Sequence, residues 1–162
     1  MKKINLTIIS GGVQQFPGCA DILEDCPEFS IVARAGGLHD SGIWGAMGRS
    51  DVVLLDEAVL ELDGADAIRS ICDCYPLLKL LLILDYDSDE RVMEAIALGA
   101  TGVMERTSIR SMLRKAIPVL YAGESWISRD LVHSLRKQMK QELQDGSGGT
   151  HPMTFPGRGK YN

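Results

Sequence analysis

Five short apolar runs recur along the chain, at residues 4–9, 29–33, 51–55, 80–84 and 102–104. Each is continuous rather than alternating and rich in Val, Ile and Leu, the pattern of strands covered on both faces. Amphipathic stretches separate them. Residues 17–25 carry Cys19, Ile22 and Leu23 at helical spacing, and 65–74 carry Ala67, Ile68 and Ile71. Residues 38–47 carry Ile43, Trp44 and Met47, although the glycines there weaken a helix. In 88–98, Val92, Ala95 and Ile96 line one side, Asp87 or Ser88 is placed to cap the start, and Gly99 to end it. Residues 108–120 carry Met112, Leu113, Ala116, Ile117 and Leu120, with Pro118 expected to bend the last turn.

Strand and helix thus alternate five times. Right-handed connections turn that alternation into an α/β fold with a doubly wound parallel sheet of five strands. A sixth helix is predicted over 128–144, beyond the repeats, with Leu131, Leu135, Gln138 or Met139, and Glu142 or Leu143 on one side. Its stripe needs a cover. Packing on the same chain, a dimer contact and a signalling linker all remain open. Residues 145–150 are polar and glycine-rich, and 151–162 have too few apolar residues to fold alone, so a flexible tail is expected over 146–162.

Composition narrows the class. The 162 residues suit one core, with 45% hydrophobic and 24% charged residues. A net charge of -5 argues against non-specific nucleic-acid binding by the domain surface. Lys2 and Lys3 precede only a short apolar run, which Ser10, Gly11 and Gly12 end, so no secretory segment is expected. No run approaches the ~20 apolar residues of a membrane span. Cys19, Cys26, Cys72 and Cys74 match no zinc spacing and read as small residues in a reducing, cytoplasmic setting.

In open parallel sheets, sites form beyond the carboxyl ends of the strands. Ser10, Gly11 and Gly12 follow the first strand, Asp56 ends the third, Asp85 ends the fourth and Arg106 follows the fifth. Asp56 either caps the following loop or sits in a charged cleft, because unpaired burial of a carboxylate is costly. If Asp85 shares the cleft, a cation is needed between the two, and the Arg106 guanidinium can fork between them. The Gly11–Gly12 pair fits no phosphate-loop pattern, no H-E-x-x-H or G-x-S-x-G occurs, and His39, His133 and His151 are dispersed. With no nucleophile–base pair in view, turnover is not expected, nor are a metal or a cofactor.

Residues 51–56, with Asp63–Gly64 behind them, and residues 97–102 with the strand that follows resemble bacterial response-regulator receivers. The nearest type is the one that precedes a LuxR/NarL helix-turn-helix, and residues 122–124 resemble the end of its last receiver helix. The resemblance covers about residues 3–126 and implies the CheY-like strand order 2-1-3-4-5. It implies a receiver-like domain over 1–124, an extra helix or linker over 125–145, and two-component signalling or transcription regulation.

By position Asp56 matches the phospho-accepting aspartate. The acidic pair that would hold magnesium is replaced by Ser10 and Gly11, the Thr or Ser that senses phosphate by Asp85, and the lysine by Arg106. Val103 stands at the switching aromatic position and Leu60 where a proline is usual. These departures imply a pseudo-receiver, with Asp56 a vestigial acceptor and no bound metal. Such a module works by contact with a protein partner or effector domain, with homodimerisation expected, no membrane partner, and DNA contact only through a domain outside this chain. Two alternatives stand beside it. One is a working receiver with relocated metal ligands, and the other a small-molecule sensor with a pocket at Ser10, Gly11, Asp56 and Asp85.

Overall fold

The computed structural model describes residues 2–10, 19–85, 88–127 and 129–144. Five parallel strands, β1 (Ile4–Ile9), β2 (Phe29–Ala35), β3 (Val52–Asp56), β4 (Lys79–Leu84) and β5 (Gly102–Glu105), form one sheet in the order β2-β1-β3-β4-β5. The chain reverses direction across the sheet between β1 and β3, which opens a crevice at the carboxyl ends of these strands.

Alternate side chains feed two cores. Val53, Leu55, Leu80, Leu82 and Val103 face one cluster, and Val52, Leu54, Leu81, Ile83 and Met104 the other. Every residue of β3 is buried. This is why the strand sequences read as unbroken apolar runs. The first cluster is closed by α2 (Ile43–Gly48), α3 (Glu57–Asp63), α4 (Asp66–Cys74) and α5 (Asp89–Leu98), and the second by α1 (Cys19–Glu24) and α6 (Ile109–Tyr121). Buried Thr7 is satisfied by the Ser50 hydroxyl at 2.6 Å.

Local signals account for most helix ends. Ser88 Oγ accepts from the Arg91 N–H at 3.3 Å, and Gly99, at φ 120°, ends α5. The glycine-weakened helix begins only at Ile43, because Gly42 before it takes a left-handed φ of 80°. Beyond β5, α6 extends through Pro118 to Tyr121 without interruption. The stretch after Asp56, read from sequence as a loop, folds instead as α3. Asp56 caps it by accepting from the Ala58 N–H, and Gly64, at φ 83°, ends it.

The sixth helix is present as α7 (Arg129–Gln144), packed on α5. Before it, Trp126 forms a parallel bridge with Gly102, its carbonyl accepting from the Val103 N–H at 2.9 Å. Residues 146–162, expected as a tail, lie outside the described residues. Among the described residues no helix is long and apolar enough to cross a membrane.

Candidate functional site

Three of the predicted site residues meet at the crevice. Arg106 follows β5 as the first residue of a short 3-10 turn (Arg106–Ser108). Its Nη2 donates to Asp56 Oδ1 at 2.7 Å and its Nε to Asp85 Oδ1 at 2.7 Å. The Asp56 side chain is 2% exposed, that of Arg106 23% and that of Asp85 63%. One guanidinium therefore reaches from water down to a buried carboxylate and ties a second carboxylate at the rim. Charge-assisted bonds of this length are among the strongest a protein makes.

The electrostatics agree in direction. The hydrogen bond from Arg106 holds the Asp85 carboxyl below its ordinary range. Burial works against the charge on Arg106, but hydrogen bonds to Asp85 and Asp56 outweigh it and push its pKa up.

Directly beneath lies a residue the sequence reading passed over. Glu57, 4% exposed, accepts from the Asp85 N–H at 2.7 Å and lies 2.5 Å from Arg91 Nη2. The turn after β4 and the first turn of α5 are both fixed to it. The available signal was the doublet Asp56–Glu57 at a strand end; Arg91 lies beyond the next strand, on α5, and no spacing links the two.

The other predicted residues fall elsewhere. Ser10 is buried, and its backbone N–H donates to Ala35 O at 2.9 Å. Among the described residues its hydroxyl makes no hydrogen bond to the Asp56–Arg106–Asp85 group. Gly11, the other member of the predicted pocket, lies outside the described residues. Val103, the expected switch position, is 6% exposed and packed in the apolar core. Leu60 sits within α3, half-buried against that core. Burial, then nearby Asp73, pushes the Cys72 thiol up to about 11, which leaves it a poor nucleophile at neutral pH.

No family model matches the chain. Among curated proteins it is 28% identical over 134 residues to the DNA-binding transcriptional activator DevR/DosR of Mycobacterium tuberculosis, covering 82% of this chain and 62% of that one. It is 26% identical to the transcriptional regulatory protein DegU of Brevibacillus brevis, covering 88% of this chain and 61% of that one. The chain thus spans less than two thirds of the length of these relatives. Among solved structures, the isolated receiver domain of RcsB from Salmonella enterica serovar Typhimurium superposes with a TM-score of 0.71 at 16% identity. That match covers 83% of this chain and 99% of the other. The fold is that of a receiver domain, and the sequence is related to response regulators of the LuxR/NarL type.

Proposed function

We propose that this chain, a receiver-fold domain related to LuxR/NarL-type response regulators, is a regulatory module that signals through protein contact without aspartyl phosphorylation. The observation that carries the reading is the Arg106 fork. Phosphotransfer to an aspartate needs a divalent cation beside it, and such a cation wants several oxygen ligands. Here a guanidinium stands against Asp56, and Ser10 replaces one of the acids expected after β1. A phosphoryl group on Asp56 would also replace its single negative charge with about two, next to Asp85.

The module is read as a binding domain rather than an enzyme, since the site holds fixed ion pairs and, among the described residues, no nucleophile–base pair. The curated relatives, named as transcriptional regulators, support an output in transcription and with it a cytoplasmic setting, DNA contact being left to a separate domain. A small phosphodonor with magnesium, read by intact mass, tests the proposal. The mass is expected to stay unchanged. A stoichiometric phosphoryl adduct on Asp56, absent in Asp56→Asn, overturns it in favour of a working receiver with relocated metal ligands.

A further inference from the structure

The second half of α7 is unsupported. Val132 and Ser134 are half-buried, but residues 136–144 are all exposed. On that half Arg136, Met139, Lys140 and Leu143 follow the i, i+3, i+4, i+7 spacing and share one face. Met139 is 44% and Leu143 79% exposed. A short helical segment without tertiary contacts is marginal in water, so this face of two apolar and two cationic side chains calls for a cover.

A surface of matching chemistry lies on the same chain. A groove of about 190 Å³ runs between α3–α4 and α5, floored by Leu60, Ile68, Ala95 and Leu98 and lined also by the mutually neutralised Glu57–Arg91 pair and by Glu61 and Glu94. Glu61 and Glu94 are exposed and form no ion pair or hydrogen bond among the described residues. Two unpaired carboxylates over an apolar floor complement two cations beside two apolar side chains.

We propose that α7 of one copy docks in the α3–α4–α5 groove of a second copy. Met139 and Leu143 lie on the floor, and Arg136 and Lys140 face Glu61 and Glu94. The occupant follows from charge. Residues 1–128 carry a formal net charge of -8 and residues 129–162 of +3, which favours helix against body over helix against helix. α7 packs on α5 and makes no comparable contact with α3 or α4, so its own groove lies across α5. Reciprocal exchange closes as a two-fold dimer.

This contact supplies a surface for the protein-contact output proposed above and rests on that part of the reading. It does not depend on phosphotransfer, because it is scored without a phosphodonor. Sedimentation of the full chain over a wide concentration range, at low and high salt, is expected to show a dimer that salt weakens. Arg136→Glu with Lys140→Glu, and separately Glu61→Lys with Glu94→Lys, are each expected to weaken self-association at least about tenfold. Mixing the two charge-reversed proteins is expected to restore a heterodimer. Met139→Ser with Leu143→Ser tests the apolar half without touching charge. Thermal unfolding confirms that each variant is folded. A monomer at every concentration, a dimer indifferent to both reversals, or reversed proteins that fail to pair overturns the inference.

Discussion

At the scale of single residues, the site is a chain of carboxylates and guanidinium groups in which burial decides what each pair is worth. Asp56 is the deepest member, and removing its partner leaves a charge with little access to water. Arg106→Ala is therefore expected to destabilise the fold by about 1–3 kcal/mol near neutral pH, measured by chemical denaturation. The pH dependence follows from Asp85. Its folded pKa is depressed, so its contribution is complete above the unfolded value of about 4 and is lost as pH falls toward the lower folded value. The stability difference between the native chain and Arg106→Ala should narrow over that acid range. A gap that stays constant down to pH ~3 would show that the ion pair contributes nothing. The placement of Asp56, Asp85 and Arg106 was legible because each directly follows a buried run. Glu57 was not, since a glutamate is rarely buried and nothing in its spacing announces the arginine that pairs with it.

At the scale of elements, strands were read more closely than helices, for a physical reason. A strand buried on both faces announces itself as an apolar run, whereas a short helix must be inferred from a stripe and its caps. Of the seven residues of α3, Val59 is the one buried apolar side chain between Asp56 and Gly64. One contact point gives no periodicity, so the caps were the only signal. Gly99 shows how sharply an element end can be specified. Its φ is 120°, and a Cβ placed there would lie 2.8 Å from Cys72 Sγ on α4. Gly99→Ala is expected to cost about 1–3 kcal/mol in thermal or chemical unfolding. Adding Cys72→Ala should recover only the part due to Sγ, since the Cβ of residue 72 would still lie 3.0 Å away and the backbone remains strained. Full recovery would mean that the close approach alone demands glycine.

For the molecule as a whole, the fold class, the strand order and the helix beyond the repeats could be read before any coordinates, because alternation and chain length leave few parallel topologies open. The segment joining that helix to the sheet was less legible. The resemblance places a boundary at Glu124, but Trp126 hydrogen-bonds to β5 through Thr101 O and the Val103 N–H. Gly102 is glycine for the same reason, a Cβ there meeting Trp126 Cβ and O at 3.0 Å. A protein ending at Glu124 would keep its crevice but lose the residue whose two backbone hydrogen bonds shield the outer rim of the sheet. The bare N–H of Val103 would then become a template on which other chains could add strands, and such a fragment is expected to precipitate where one ending at Gln144 stays dispersed. Light scattering of the two fragments on warming would register the difference, and the tryptophan at position 126 would be recognised as a gatekeeper against aggregation.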